Sequence, residues 1–375
     1  MKLLRVTAKN FKNCKDNYTI DFTTKAKKSA EDKTYELQEI APNLFTFNTV
    51  AFVGKNASGK TTAFDLICCC YEILSFFQFE TTKYSVDNIE LEIFFYHKGD
   101  VYKYTTVLKA NEIYSEKAEF QNEHIYKKTY VQSKSANIFN NDGFEEMVKF
   151  YALPSDTSKL FFVLGEKKNY SIHYDSRDDN VESYKAIFSY MQLYKISTEI
   201  FSSVLSVFDD NVKGLTMTED KNYCINYNGV EMVKTANELI YFLSSGTTKG
   251  MILYTIMVIS LIKGFDLIVD EVENHFHKTL VENMISLYKE PLINRNNATL
   301  IFTTHYNELL DLFGRKDNIW IAKSDEKVYL QNMHDVYKEH NIRSELLKSK
   351  QFYNNTFDTA INYESLMNLK RNLMK

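Results

Sequence analysis

The sequence has few cysteines, and no two of them form a C-x-x-C pair. The five are Cys14, Cys68, Cys69, Cys70 and Cys224. This odd and uneven set argues against a disulfide framework and against a zinc knuckle. Long apolar runs are also missing: the longest, Met251–Ile262, is shorter than the ~20 residues that a membrane span needs. The opening Met1–Phe11 is basic without an apolar core, so we predict no signal peptide, no membrane partner and a cytoplasmic protein.

An excess of positive charge is missing as well. Lysine and arginine number 45 against 49 acidic residues, which gives a net charge of −4 and a pI near 6.1. That balance argues against a generally basic protein that coats nucleic acid. Lys12, Lys25, Lys27 and Lys28 could still contact nucleic acid or a partner, although such lysines more often form a solvated face.

Glycine and proline are scarce, with 11 and three residues, against the usual ~7% and ~5% of a chain. Tyrosine and phenylalanine are abundant, with 26 and 27 residues, a bias that A+T-rich coding DNA produces and that carries little functional information. Hydrophobic residues make up 44% and charged residues 25% of the chain, which excludes wholesale disorder. A length of 375 residues predicts two or three domains, or one large domain with insertions.

Apolar periodicity predicts alternating strands and helices. Strands are predicted at Leu3–Ala8, Tyr18–Phe22, Phe45–Val53, Phe265–Val269 and Ala298–Thr303. Helices are predicted at Thr61–Phe77, Gly143–Ala152, Val181–Phe208, Ala236–Leu243 and Gly250–Lys263. Asn88–Val131 alternates aromatic and polar residues, as a β-meander does, and a strand pair around Ile319–Leu330 precedes a helical tail.

These elements predict four segments. Residues 1–85 and 236–375 form the two parts of one α/β lobe. Residues 86–135 form an antiparallel β-subdomain, and residues 136–235 form an inserted helical lobe.

The sequence between the strand at Phe45–Val53 and the helix at Thr61–Phe77 matches G-x-x-x-x-G-K-[ST], the motif that cradles nucleotide phosphates. Its residues are Gly54, Lys55, Asn56, Ala57, Ser58, Gly59, Lys60 and Thr61. Glycines allow close backbone approach, and the loop turns its N–H groups towards phosphate at a helix N-terminus. We predict that ATP binds here, with Lys60 on the β- and γ-phosphates, Thr61 on Mg²⁺ and Thr62 on the α-phosphate.

An apolar strand ends in two adjacent acids, Asp270 and Glu271. Paired carboxylates at the end of a strand are costly unless they meet a cation or water. We predict that Asp270 binds Mg²⁺ through water, and that Glu271 accepts a proton from the water that attacks the γ-phosphate. Two solvated loop acids are the alternative, which the neighbouring phosphate motif disfavours.

A short segment ahead of this strand contains Ser244, Ser245 and Gly246, followed by one apolar helix. By itself it is a good helix N-cap. In this order and spacing it resembles the LSGGQ signature of ABC-type ATPases, with Ser245 in place of the first glycine and Thr247 in place of glutamine. His305, the last residue of the predicted strand Thr299–His305, resembles the switch histidine of the same superfamily.

Further motifs resemble the SMC/RecF/OLD branch of that superfamily. Leu4–Lys12 is similar to its I-x-N-F-(K/R) opening, Glu271–His277 to its D-E-x-x-x-S-L-H stretch, and Arg315–Trp320 to its R-x-D-x-I-(W/Y) strand. The form of the signature is closest to the OLD-like (overcoming lysogenization defect) AAA-type ATPases of bacterial anti-phage defence and abortive infection. The resemblance implies an α/β P-loop NTPase of ABC type, with a central mixed sheet, an antiparallel β-subdomain and an inserted helical lobe.

The spacing of the motifs argues against two features of related ATPases, long coiled-coil arms and a nuclease domain. The stretch between Thr61 and Ser244 is too short and too poor in heptads for SMC-type coiled-coil arms. The stretch after His305 is too short for a Toprim nuclease domain and has no D-x-D cluster. We therefore expect an ATPase without an effector of its own. Gln132 is a candidate for the Q-loop glutamine near Mg²⁺, and Gln121 is its rival.

The resemblance implies a homodimer or a higher homo-oligomer. Two protomers would sandwich two nucleotides head to tail, with Ser244–Gly246 of one chain facing the γ-phosphate held by the other. It also implies control of a separately encoded effector, such as a nuclease or a toxin. Two alternatives stay open: a RecF- or SMC-like DNA-repair ATPase, and a scaffold that binds ATP with little turnover.

Overall fold

The computed structural model describes the whole chain except residues 83–85, 112–115, 149, 176–180, 275, 344–345, 358–362 and 375, and except the side chains of residues 181, 183, 184, 363, 365 and 366. The helices are α1 Lys60–Phe76, α2 Phe161–Leu164, α3 Val181–Tyr194, α4 Thr198–Phe208, α5 Ala236–Phe242, α6 Ser245–Lys263, α7 Lys278–Lys289, α8 Met333–Glu339, α9 Lys348–Tyr353 and α10 Tyr363–Leu373. The strands are β1 Lys2–Lys9, β2 Tyr18–Asp21, β3 Leu37–Ala41, β4 Leu44–Phe47, β5 Thr49–Val53, β6 Ile89–His97, β7 Asp100–Ala110, β8 Ala118–Thr129, β9 Glu145–Glu146, β10 Ser171–Tyr174, β11 Val212–Met217, β12 Tyr223–Tyr227, β13 Val230–Lys234, β14 Asp266–Val269, β15 Leu300–Thr304, β16 Ile319–Ser324 and β17 Val328–Asn332.

A six-stranded central sheet has the order β10-β14-β15-β5-β16-β17. The first five strands are parallel, and β17 alone runs antiparallel to its neighbour β16. β5, β14 and β15 are fully buried, as expected for short apolar strands covered on both faces. Because the strands are parallel, the loops that follow β5, β10, β14 and β15 all leave the sheet at one edge.

Alternate residues of the central strands face two different layers. Val53, Val269 and Phe302 pack into one core with α6 and α7. Phe52 and Ile301 pack into the opposite core with α1 and the second sheet. The parallel sheet is therefore the middle layer of the fold. Packing against both of its faces fixes the edge formed by the carboxyl ends of its strands.

The second sheet is antiparallel, with the order β2-β1-β6-β7-β8-β9. Its long strands β6, β7 and β8 form the predicted β-meander, and β1 pairs with both β2 and β6. The N-terminal strands thus join the subdomain that the sequence predicts at residues 86–135. The division of the chain into four segments stays a prediction.

The segment between β10 and β14 carries the inserted lobe, with α3, α4, α5 and a small antiparallel sheet β11-β12-β13. The predicted fold class is confirmed: a central mixed sheet, an antiparallel β-subdomain and an inserted helical lobe. The predicted single helix at residues 181–208 is two helices, because Lys195 at positive φ (57°) breaks it and Ser197 caps the second.

Two local predictions are wrong. Residues 143–152 are not helical where the structure describes them; they hold β9, which pairs with β8. Residues 45–53 form two strands, β4 and β5, rather than one, because β4 turns back to pair with β3. β10 and the β11–β13 sheet carry no strong periodic signal, and their strands are only four to six residues long.

One helix, α6, is long and apolar enough to cross a membrane by length and composition, but 72% of its 18-residue apolar window is buried inside the described structure. It begins at Ser245, ahead of the predicted start at Gly250, and it packs into the core against α3 and α4. Its apolar sequence therefore has a structural explanation as a core helix.

Candidate functional site

The loop after β5 closes on itself through its two glycines. Gly59 has φ +97°, and a Cβ built on it would lie 2.1 Å from Cγ1 of Val328. A Cβ on Gly54 would lie 2.6 Å from the carbonyl oxygen of Ala322. Both positions need glycine because the strands β16 and β17 approach the loop closely. Gly59 also caps α1 without a side-chain hydrogen bond, so the first turn of this 17-residue helix can present N–H groups to an anion.

Lys60 lies over the loop, with only 5% of its surface exposed. Its Nζ donates to the carbonyl oxygens of Gly54 (3.1 Å) and Lys55 (3.3 Å). Burial lowers its pKa, and the neighbouring Glu271, Glu273 and Asp270 oppose that effect. A buried ammonium group held by carbonyl oxygens is ready to exchange them for phosphate oxygens.

Asp270 follows β14 and meets the start of α1. Its Oδ2 accepts from the Thr61 hydroxyl at 3.1 Å, and its Oδ1 accepts from the Thr303 hydroxyl at 2.6 Å. Burial raises its pKa, and these two hydrogen bonds oppose the rise. A hydroxyl and a carboxylate held together in this way are hard oxygen donors, which suit Mg²⁺.

Glu271 is the more exposed of the two acids, with 37% of its side chain accessible. Its backbone adopts the left-handed conformation, with φ 48°, and its N–H donates to the Thr303 hydroxyl at 2.7 Å. Oε2 accepts from the side-chain amide of Asn274. Oε1 lies 3.7 Å from Nε2 of His305. The backbone turn thus directs this carboxylate away from Asp270 and towards the histidine.

His305 follows β15 and faces both the acid and the lysine. Its Nδ1 lies 3.4 Å from Nζ of Lys60, and its backbone N–H donates to a carboxylate oxygen of Glu273. These side chains surround one open cleft of about 920 Å³. The cleft is lined by Asn56, Ala57, Ser58, Gly59, Lys60, Thr61, Thr62, Glu271, Glu273, Asn274, His305, Tyr306 and Val328.

The structure therefore brings the loop residues, Glu271 and His305 together. Gly54, Lys55 and Asp270 do not line the cleft, but each is hydrogen-bonded to a residue that does. Ser58 contributes a buried hydroxyl that has no hydrogen-bond partner within the described structure. A buried, unpartnered hydroxyl in a loop that leads into a helix N-terminus suits a bound anion.

The predicted signature residues do not line this cleft. Ser244, Ser245 and Gly246 are exposed at the start of α6. The hydroxyl of Ser244 accepts from the N–H of Thr247 at 3.1 Å and so caps the helix. The single chain leaves the segment accessible and separate from its own phosphate loop.

Neither predicted glutamine lines the cleft. Gln132 is exposed at the start of a 3₁₀ helix, Gln132–Asn137, which follows β8 in the second sheet. Gln121 lies within β8, opposite Val107. Both glutamines lie in or just after the last strand of the β-meander, and that strand belongs to the antiparallel sheet. The cleft lies at the edge of the parallel sheet, so neither glutamine reaches it.

Sequence reasoning missed several residues of this site. Glu273, Asn274, Tyr306 and Val328 line the cleft, and the acid pattern D-E-x-E is a signal that could have identified Glu273. Asp175 directly follows β10, and its charge raises the pKa of Asp270. It could have been found only by recognising β10 as a strand of the central sheet.

The fold and the cleft together define a P-loop NTPase of ABC type, with the phosphate loop, the acidic strand end and the histidine at one edge of a parallel sheet. A family model described as "AAA domain, putative AbiEii toxin, Type IV TA system" matches residues 50–311. The chain belongs to this family of AAA-type ATPases.

Two solved structures are similar over most of their length. The SMC head domain from Thermotoga maritima has 13% identity and a TM-score of 0.43, covering 88% of this chain and 99% of its own. An SmcHead bound to the C-winged helix domain of ScpA has 13% identity and a TM-score of 0.46, covering 90% and 100%. A search of the curated proteins gives no match.

Proposed function

We propose that the chain binds and hydrolyses ATP in the cleft between α1, β14 and β15. The observation that carries the proposal is the convergence of Lys60, Thr61, Glu271 and His305 on one cleft, with Asp270 hydrogen-bonded to Thr61. These residues come from three separate segments, which are the start of α1 and the loops after β14 and β15. A chance phosphate-loop motif would not bring a hydroxyl–carboxylate pair and a second acid to the same place.

The phosphate chain of ATP would lie on the N–H groups of the Gly54–Thr62 loop. Lys60 would exchange its carbonyl partners for the β- and γ-phosphate oxygens, and Thr62 would contact the α-phosphate. Thr61 and Asp270 would hold Mg²⁺, which supplies charge neutralisation for the transferred phosphoryl group.

Glu271 is placed to take the proton of the attacking water. Its carboxylate is half-exposed in the cleft and is held from one side by Asn274 and faced from the other by His305. A positioned base of this kind acts on water that a γ-phosphate orients beside it. His305 lies between the base and Lys60, so it is placed to respond to the presence of the γ-phosphate.

The second half of each site would come from a second copy of the chain. Ser244–Gly246 stand exposed at the N-terminus of α6, a 19-residue helix. Hydroxyls, N–H groups and the positive end of a helix dipole favour an anion. In a head-to-tail homodimer this segment would close on the γ-phosphate of the partner, and hydrolysis would reopen the dimer.

We further propose a role in bacterial defence, with the ATPase restraining or activating a separately encoded nuclease or toxin. The support is the OLD-like form of the signature and the family's description, which names a putative toxin of a type IV toxin–antitoxin system. Two of the four lysines considered for nucleic acid form ion pairs within the chain: Lys12 with Asp65, and Lys25 with Asp335. We therefore assign a protein effector ahead of nucleic acid.

The test is the molar mass by light scattering, with phosphate release, of wild type and Glu271→Gln with and without Mg·ATP. We expect wild type to release phosphate, and the variant to be trapped by ATP as a dimer or larger assembly. Unchanged turnover and mass in Glu271→Gln would refute the assigned base. A large mass that ATP never changes would favour a scaffold, and stimulation of turnover by DNA would favour a repair ATPase.

A further inference from the structure

The second acid after β14, Glu273, is buried beside the proposed base. Only 8% of its surface is exposed, although it lines the cleft. One carboxylate oxygen accepts the backbone N–H of His305. The other, Oε2, is buried and has no hydrogen-bond partner among the described residues.

A buried carboxylate with one oxygen unsatisfied lowers stability. The positive charge of Lys60 offsets part of this cost, since Glu273 lies close enough to oppose the lowering of that lysine's pKa. An apolar residue would avoid the cost but would leave the N–H of His305 without this acceptor. The bond to His305 is thus the specific contact that a carboxylate provides at this position.

The contact completes a connection between the loops after β14 and β15. The N–H of Glu271 donates to the hydroxyl of Thr303 at 2.7 Å, and the N–H of Val272 donates to the carbonyl oxygen of Thr303 at 3.0 Å. The carboxylate of Glu273 extends this series by one step, to the N–H of His305. The backbone that carries the histidine is therefore fixed to the backbone that carries the base.

We propose that Glu273 is a positioning residue, which sets the place of the His305 ring relative to Glu271 and Lys60. The inference rests on the proposed function, because it concerns the same reaction. Two ring distances depend on this backbone anchor, 3.7 Å to Glu271 and 3.4 Å to Lys60. Displacing a positioned group by about 1 Å costs on the order of 100-fold in rate, so partial loosening is expected to cost about tenfold.

The experiment compares Glu273→Ala with Glu273→Gln. Alanine removes the acceptor, whereas glutamine keeps one oxygen that can accept from His305. We expect kcat to fall about tenfold or more in Glu273→Ala with KM for ATP nearly unchanged, and to recover in Glu273→Gln to within about threefold of wild type. Equal losses in both variants would overturn the proposal.

A matched control is Glu36→Ala. Glu36 is also a buried glutamate with one unpartnered oxygen, and its other oxygen accepts from the N–H of Gly314 at 2.9 Å and from Lys289 at 2.7 Å. It lies outside the cleft. We expect Glu36→Ala to lower the midpoint of thermal unfolding while kcat stays within about twofold of wild type. If Glu36→Ala reduces kcat as much as Glu273→Ala does, general destabilisation explains both.

Two further measurements separate this inference from the proposed function. In a His305→Ala background, Glu273→Ala should change kcat by less than about twofold, because the ring it positions is gone. Hydrogen exchange of the peptide that contains His305 should speed up in Glu273→Ala and not in Glu36→Ala. The exchange readout needs no turnover: unchanged exchange in Glu273→Ala refutes the anchor even in an active enzyme. Faster exchange in a chain that never hydrolyses ATP supports the anchor while the proposed function fails.

Discussion

The contact between Gly59 and Val328 ties the phosphate loop to β17, and it allows a quantitative prediction. In Gly59→Ala the new Cβ meets Cγ1 of Val328 at 2.1 Å, on a backbone at φ +97°. A left-handed backbone costs an L-residue about 1–2 kcal/mol, and overpacking costs about 1–3 kcal/mol. We expect Gly59→Ala to lower the free energy of unfolding by about 2–5 kcal/mol in total.

The control for the backbone term is Gly99→Ala. Gly99 has φ +91°, and a Cβ there would meet nothing within 4 Å. Urea unfolding without nucleotide should therefore show the smaller cost of about 1–2 kcal/mol for Gly99→Ala. The excess in Gly59→Ala measures the clash.

Val328→Ala supplies the second half of the test. It removes the methyl groups that the new Cβ meets, so the double variant should be more stable than the sum of the single effects by about 1–3 kcal/mol. Additive effects, or equal costs at Gly59 and Gly99, would show that β17 does not press on the loop as described.

Substitutions at two other places test charges that are buried in the fold, Asp270 and the pair Arg315–Asp317. Because burial raises the pKa of Asp270, its ionised form destabilises the native state, and this penalty develops as the pH rises from the unfolded value of 3.8 through the raised pKa. Asp270→Asn should therefore unfold at a higher temperature than wild type at pH 7–8 and lose that advantage in acid. Mg·ATP should add no stability to this variant. A melting temperature below that of wild type at neutral pH would contradict the prediction. The Arg315 side chain is 3% exposed and pairs with the fully buried Asp317. Arg315→Ala should lower the free energy of unfolding in urea by about 3–5 kcal/mol. Adding Asp317→Ala should recover part of this loss, and full additivity of the two effects would refute the pairing.

The predictions of a phosphate loop and of an acidic strand end each depend on a few adjacent residues, and the structure places these residues as the pattern does, after β5 at the start of α1 and after β14. Gly54–Thr62 must follow a buried strand and open a helix, and Asp270 must end another strand, whatever the rest of the chain does. His305 also lies at a strand end. Since parallel strands share one edge, the three loops had to meet.

The other site residues depend on contacts that a linear pattern does not contain. Val328 reaches the loop only because β17 turns back along β16. Asp175 lies near Asp270 only because the four-residue β10 pairs with β14. Gln132 begins a short 3₁₀ helix that follows β8, a strand of the antiparallel sheet, and so lies away from the edge of the parallel sheet. The predicted helix at residues 143–152 gave way to β9, because pairing with β8 overrides a weak local preference.

The most direct test of the composite site is a mixing experiment with two inactive variants. Lys60→Ala lacks its own phosphate lysine, and Gly246→Arg blocks the segment that would serve the partner. In a head-to-tail dimer, each mixed pair contains one intact site, so an equal mixture should recover about a quarter of the wild-type rate of phosphate release. If the mixture stays as inactive as either variant alone, although both bind each other in light scattering, the signature does not act across the dimer and the central claim fails.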